Sequence, residues 1–481
     1  MKYPGLQGGQ LELLSEEEVE RIHGAALKVL AEVGVQVDSE RYLNLLHDKG
    51  AEVDREENRV KLSGDLVKKY LEAVPSEIVL HGRKEAYDLD LADRKVHFGT
   101  GGEAVNILDP DSEETRSPVL EDQAKLACLV EGLENVHFYQ APVVPTDVPE
   151  EDLSLNSFYA SLTGTYKNVQ APATDPDKVE KIVEMAAIIA GGRDKLLERP
   201  FISFVTSWMV SPLRLDDETT AVLEKVTDYG IPVALSSAPV TGSTAPASLA
   251  GLLVQVHAEE LFGLTLSQMF NQGTPVLYGP VPAAANMRNM AYLAGAPETG
   301  MMNVGAVQLA NFLDVPIYSD AGETDTKIPD TQAGIEAAFN ILQVALAGGN
   351  YIHHAAGMME SMLSVAYEKF VIDNDVIGMA TRVLRGIEVD EESLALEVIE
   401  NVGPGENFLT EKHTIKQSRS EEFYHPRVFD REDVQAWREE GSKNTRERAR
   451  ERAREILENS PQNLLSEEVD REIRRRFEIY L

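Results

Sequence analysis

The sequence predicts an α/β protein, a (β/α)8 TIM barrel with an N-terminal α+β lead-in and a C-terminal helical extension. Three observations carry that expectation. Short apolar runs recur eight times between residues 96 and 357. The intervals between them each have room for a helix, and an eighth helical run follows the last, the alternation expected of βα units. The runs also end alike, in Gly, Ala, Ser or Pro, residues that let a strand turn into a loop. A doubly wound open sheet is the alternative, but it normally holds fewer strands.

The elements follow in order. The pattern LSEEEVERIHGAALKVLAEVGV over 14–35 is an amphipathic helix, with Ser15 as N-cap and Glu18 completing a capping box. A second helix is expected over 39–50, and the short alternating runs RVKLS, EIVLHG and YDLDLA suggest a small β-containing lead-in up to Asp93. His23, His47 and His81 fall in these elements and read as structural. The eight β-like runs begin near Val96, Val136, Asn168, Phe201, Pro232, Pro275, Pro316 and Tyr351. Helices are expected over 120–134, 152–162, 177–190, 216–228, 248–271, 298–312, 331–346 and 362–384. Residues 316–357 hold the unit in miniature: IYS, a helical run, GG, then YIHHA, a connection that is almost always right-handed. From Val389 onward come acidic helices, a polar and aromatic stretch around His413, His425 and Trp437, and the charged helix TRERARERAREILEN. The expected division is 1–93 lead-in, 94–386 barrel, and 387–481 an extension packed on the barrel or a neighbouring subunit.

Composition narrows the function classes. Lys plus Arg is 45 against 81 for Asp plus Glu, a formal charge of −36, which repels nucleic acid. Cys128 is the only cysteine, so an internal disulfide and any multi-thiolate cluster are excluded; in AKLACLVEGL it reads as a buried small hydrophobe. No window approaches the roughly 18 uninterrupted apolar residues of a membrane span, and MKYPGLQGGQLELLSEEE lacks a secretory pattern. A cytoplasmic protein without membrane contact is expected. Barrels with long helical tails often associate, so a homo-oligomer is expected too.

Barrel enzymes build their sites at the C-terminal ends of the strands, which turns the strand assignments into candidate residues. They are Glu103 after the first strand; Tyr139 and Gln140 in the second; Trp208 after the fourth; Tyr278 and Arg288 around the sixth; Asp320, Glu323 and Asp325 at the seventh; and Tyr351, His353, His354 and Glu360 at the eighth. Neighbours on a strand point to opposite faces, so only one of His353 and His354 is expected inside, and no metal site is expected. The glycines Gly99, Gly101 and Gly102 read as a tight turn. Lys327 could form a Schiff base, but Asp325 and Asp330 beside it favour a charged amine. Aromatics with carboxylates at one mouth suit a quaternary ammonium, because a ring face attracts a cation that cannot donate hydrogen bonds.

Separated strings sharpen this picture. SAPVTGSTAPASLAG, VLYGPVPAAANMRN, SPL at 211–213, AGETDTKIPDTQAGIEAA, ALAGGNYIHHAAGMMES and HTIKQSRSEEFYHPRVFDREDVQAW together resemble the trimethylamine methyltransferase superfamily. The resemblance implies a barrel enzyme that moves a methyl group from a methylated amine to the cobalt of a corrinoid on a separate small protein. Archaeal trimethylamine members carry pyrrolysine, whereas this chain has only standard residues; it therefore looks like the non-pyrrolysine relatives acting on quaternary amines such as glycine betaine. Asn286 stands where an acidic residue is expected. The expected partners are a cognate corrinoid protein and a small quaternary amine, with no metal bound by this chain. Trp208, Tyr139, Tyr278 and Tyr351 are the expected cage, Glu103 and Glu323 the expected counter-charges, and His353 the group for a substrate carboxylate. The alternatives are a demethylase of proline betaine, carnitine, γ-butyrobetaine, dimethylsulfoniopropionate or trimethylamine, a Schiff-base lyase, and a non-catalytic betaine-binding protein.

Overall fold

The computed structural model describes every residue except 1, 111, 113 and 462. Eight strands form in the order expected: β1 (Lys95–Thr100), β2 (Tyr139–Gln140), β3 (Val169–Ala171), β4 (Ile202–Thr206), β5 (Val233–Leu235), β6 (Val276–Leu277), β7 (Tyr318–Asp320) and β8 (Tyr351–Ala356). Strands β2 to β6 make one parallel run in sequence order, and β7, β8 and β1 make a second. Single parallel bridges, Gly99 to Phe138 and Tyr278 to Ile317, link the two runs. The architecture is α/β.

Helices α1 (Leu120–Glu131), α2 (Glu150–Gly164), α3 (Pro176–Ala190), α4 (Asp217–Tyr229), α5 (Leu249–Phe270), α6 (Pro297–Leu313), α7 (Thr331–Ala347) and α8 (Tyr367–Leu384) follow the strands in turn. Their starts are set by side-chain caps: Asp175, Asp216, Ser248 and Asp330 each accept a first-turn backbone N–H, satisfying a donor the helix itself cannot. The last helix starts at Tyr367, later than its apolar pattern suggests, because Met358–Met359 and Ser364–Ala366 pair as an antiparallel hairpin first. Helix α5 is long and apolar enough to cross a membrane by length and composition, but 72% of its apolar window is buried inside the protein.

Strand parity splits the interior into two layers. Tyr139, Val169, Phe204, Val233, Val276, Ile317 and Ile352 face the helices and join the large core. Their alternating neighbours Phe138, Val205, Ala234, Leu277, Tyr318 and Tyr351 face the other way and form a separate apolar cluster. The lead-in closes that cluster from below: Leu80 and Leu89 of the hairpin Val79–Leu80 and Leu89–Asp90, with Ile78 and Tyr3, pack into it. The capping box of Ser15 and Glu18 starts the first helix, Glu16–Lys28, as expected.

The C-terminal helix Thr445–Asn459 buries Ala449, Ala453 and Ile456. Arg446 and Arg450 reach Glu368 of α8 at 2.9 and 3.1 Å. Nearby, buried Asp375 of α8 accepts the Tyr424 hydroxyl at 2.9 Å and the backbone N–H groups of Arg427, Val428 and Phe429.

Candidate active site

Above the apolar cluster, one step along the inward face of the strands, lie Gln140 of β2, Asp320 of β7 and His353 of β8. Gln140 Nε2 donates to Tyr318 Oη at 3.0 Å, and the His353 ring stacks on Tyr318 with centroids 3.7 Å apart. His353 is 0% exposed, and neither ring nitrogen has a hydrogen-bond partner among the described residues.

Residue 354 breaks the alternation expected of a strand. His354 has φ of 58°, and the pairing of β8 with β1 shifts register between Ile352 and Ala356. Such a bulge re-aims a side chain, so both imidazoles reach the same cluster, their centroids 4.1 Å apart. The expectation that only one could do so is corrected by this left-handed residue. Gly101 makes the space: a Cβ there would stand 1.4 Å from His354 Cδ2.

His354 Nδ1 donates to Asp320 Oδ1 at 2.9 Å and lies 2.6 Å from Glu323 Oε1. Burial alone would strip its proton, but the two carboxylates overcome that and raise its pKa to about 10. Glu323 is pushed up to about 7, by burial first and then by the charge of Asp320. His353 is driven well below the usual histidine range by burial and by the His354 charge, which leaves it neutral. One ligand atom each from Asp320, His353 and His354 lies within 4.8 Å of the others, a grouping that could hold a metal ion.

The loop after β7 holds Glu323 in place. Gly322 has φ of 105°, and a Cβ there would meet Ala355 Cα at 2.7 Å, so glycine is required. Glu336 of α7 accepts from Thr324 Oγ1 at 2.6 Å and from Asp325 N at 2.9 Å, while Asp325 accepts from Ser361 Oγ at 2.7 Å. The buried hydroxyl of Tyr292, which has no hydrogen-bond partner among the described residues, is raised by burial and by the fields of Glu323, Asp320 and Asp325. Glu103, at φ of 78°, is exposed, yet the protein around it partly desolvates its carboxyl and raises its pKa. It also bears on Tyr318, whose pKa is raised by burial first, despite Gln140, and by Asp320, Glu103 and Glu323.

The structure thus brings Glu323 and His353 together and leaves Glu103 exposed within electrostatic reach of Tyr318, but it does not form the expected cage. Tyr139 turns outward and donates to the Gln123 carbonyl of α1 at 2.9 Å. Tyr278, on the same outward parity, contacts His257 Nδ1 of α5 at 2.9 Å. Trp208 continues the outward face of β4, lies parallel to Phe262 at 6.1 Å and presses on Gly263. Tyr351 faces inward but too low, stacked on Phe138 at 3.5 Å in the apolar cluster. Lys327 is exposed and donates to the Asp325 carbonyl at 2.7 Å. Arg288 is exposed, and Glu360 accepts from Ser364 Oγ at 2.5 Å. Sequence reasoning passed over Tyr318 and Tyr292. A usable signal existed for Tyr318: it shares strand parity with Asp320, as Tyr351 does with His353.

Residues 2–478 match the family described as trimethylamine methyltransferase. The chain belongs to that family. A glycine betaine methyltransferase of Desulfitobacterium hafniense is 34% identical over 96% of this chain and 95% of its own length. A trimethylamine methyltransferase of the same species is 34% identical over 98% and 94%, and one of Methanosarcina thermophila is 32% identical over 95% of both. Among solved structures, the hydroxylamine complex of MtmB aligns with a TM-score of 0.50 at 15% identity, covering 95% of this chain and 96% of that one, a likeness of fold. The relatives are named as methyltransferases of glycine betaine and trimethylamine, and this chain matches nearly their whole length.

Proposed function

We propose that this enzyme moves a methyl group from a quaternary amine, glycine betaine as the first choice, to the cobalt of a corrinoid carried on a separate protein. The observation that carries the reading is the inward cluster of Glu323, Asp320 and neutral His353 around Tyr318, with exposed Glu103 within electrostatic reach of Tyr318. Its carboxylates exceed its one imidazolium, which favours a cationic ligand. Tyr292, beside the carboxylates, replaces the expected cage as the aromatic partner for a methylated ammonium, while the Tyr318 ring is stacked on His353 and holds it in place. His353 offers a free ring nitrogen to a substrate carboxylate. The corrinoid supplies the cobalt(I) nucleophile that takes the methyl group. A quaternary amine leaves as a neutral tertiary amine, so the site's task is to bind, orient and exclude water rather than to donate a proton.

The corrinoid partner has a surface to meet. Val105, Val210, Met287, Met290, Ile328 and Leu363 are exposed on the loops that follow β1, β4, β6, β7 and β8, an apolar rim at the mouth and the kind of patch that marks an interaction surface. We read the two linked strand runs as arcs of one closed (β/α)8 barrel, residues 94–386, with 1–93 and 387–481 as additions. Exposed apolar residues in the extension, Ile387, Val389, Leu396 and Leu409 among them, support a homo-oligomer. A cytoplasmic location fits the corrinoid partner.

The test is methylation of a reduced corrinoid protein, followed by absorbance, against a panel of glycine betaine, other betaines, dimethylsulfoniopropionate and trimethylamine. Glycine betaine should be demethylated fastest. His353→Ala should raise KM for glycine betaine about tenfold while leaving a carboxylate-free quaternary amine unaffected. Failure to methylate the corrinoid with any of them overturns the reading.

A further inference from the structure

We propose that Asp320, His353 and His354 form a binding site for one divalent transition-metal ion at the floor of the mouth. Their ligand atoms lie within 4.8 Å of one another, and the side chains are buried at 2%, 0% and 5% exposure. Two imidazoles and a carboxylate suit zinc, iron(II) or cobalt(II). A second observation points the same way. His353 is fully buried with both ring nitrogens unpartnered among the described residues, and its ring is fixed by Tyr318 at 3.7 Å and His354 at 4.1 Å. A buried polar group is normally hydrogen-bonded; an imidazole held rigidly with neither nitrogen partnered among the described residues is prepared for a ligand.

The backbone is shaped for the same purpose. The left-handed turn at His354 places two successive imidazoles in one cluster, and Gly101 yields the volume that the second ring occupies. His354 Nδ1 contacts Asp320 Oδ1 at 2.9 Å and lies 2.6 Å from Glu323 Oε1, so the Glu323 carboxylate stands close to an ion held there and adds favourable negative charge. Three protein ligands leave coordination positions open, as in catalytic rather than structural sites. If the methyl-transfer reading holds, those positions face a substrate carboxylate and turn the methylated head toward Glu103 and the rim. That consequence rests on the proposed function, whereas the metal site does not.

The experiment uses the full-length protein, stripped with chelator and titrated with cobalt(II), followed by visible absorption, with zinc content measured after dialysis and gel filtration. One ion per chain is expected, with the ligand-field bands of a low-coordinate nitrogen and oxygen site. His353→Asn and Asp320→Asn, checked for folding by circular dichroism, should each weaken cobalt binding at least tenfold; His353→Gln serves where the first variant is unfolded. Absence of the bands in the wild type, or binding undiminished in these variants, overturns the site. Corrinoid methylation by the same preparations reads the other proposal separately: transfer by a chain that binds no cobalt(II) or zinc removes the ion and leaves the transfer intact.

Discussion

Asp375 and Glu323 are both buried carboxylates, at 0% and 1% exposure, yet their surroundings are opposite in kind. Asp375 sits at the seam between α8 and the C-terminal extension, where one hydroxyl and three successive backbone N–H groups donate to it. Asp122 in α1 is treated similarly, by two nitrogens of Arg116 at 2.6 and 2.8 Å, by Val119 N and by the Tyr367 hydroxyl. Glu323 has an ion pair with His354 and, among the described residues, no hydrogen-bond donor, and His353 beside it has no hydrogen-bond partner among them either. Burying charge is costly unless it is hydrogen-bonded and paired. Asp375 and Asp122 have that demand met by several donors each, so these charges hold the chain together. The mouth meets it in part, and the deficit is what a ligand would make good. We propose that saturation distinguishes the carboxylates that hold this chain together from those available to a ligand.

The comparison breaks most visibly at its strongest point. Asp375→Ala leaves several buried donors without an acceptor, each worth about 1–3 kcal/mol. The variant should lose about 4 kcal/mol of unfolding free energy in urea, with the extension loosening first by limited proteolysis. Its kcat/KM at a permissive temperature should stay within about twofold of wild type. A stable Asp375→Ala chain would mean that saturation is no guide to structural weight.

Glu323→Gln tests the other side. It should lower kcat/KM about a hundredfold, equivalent to about 2.7 kcal/mol of lost transition-state stabilisation, while the thermal midpoint stays level or rises, since functional sites commonly carry destabilising charge. A fall in stability with activity retained would place Glu323 among the structural carboxylates.

Acid titration sharpens the contrast without a large effect. Burial by itself would raise Asp122, but Arg116 and the Val119 N–H outweigh it and hold the carboxyl below its usual range. A group whose pKa is depressed by folding contributes stability above its unfolded value, and that contribution is lost as pH falls through the folded one. Urea midpoints of the wild type should therefore drop on acidification below the ordinary carboxylate range, and Asp122→Asn should show a shallower drop. Parallel curves for the two proteins would remove Asp122 from the carboxylates that hold the fold together.

How much of this was legible beforehand differs between fold and site. The eight strands and the helices between them follow from apolar runs and caps, which are local signals, and the structure bears them out nearly run for run. The proposed counter-charges Glu103 and Glu323 were legible only as carboxylates on loops after strands. The cage was not, because Tyr139, Tyr278 and Trp208 are aromatic residues near strand ends whose direction depends on parity, and parity needs one fixed point of register. Two inward histidines were illegible for a sharper reason: the bulge at His354 is a non-glycine residue in left-handed conformation, which no propensity foretells. Its trace in the sequence lies elsewhere, in Gly101, which lacks the side chain that the His354 ring would strike.

The smallest predicted effect decides whether parity was read correctly. Tyr139 donates its hydroxyl to the Gln123 carbonyl, an acceptor within α1. Tyr139→Phe should therefore remove a single neutral hydrogen bond and cost about 1 kcal/mol of stability, read as a small shift in the urea midpoint. The ring itself stays, packed among the outward residues of the strands. Because that ring faces the helices and not the mouth, KM for a quaternary amine should not change. Tyr318→Phe, one strand face away, removes the partner of Gln140 and should raise KM while costing no more stability than Tyr139→Phe. If the two variants exchange behaviours, the inward and outward faces have been assigned the wrong way round, and Tyr139 returns to the site.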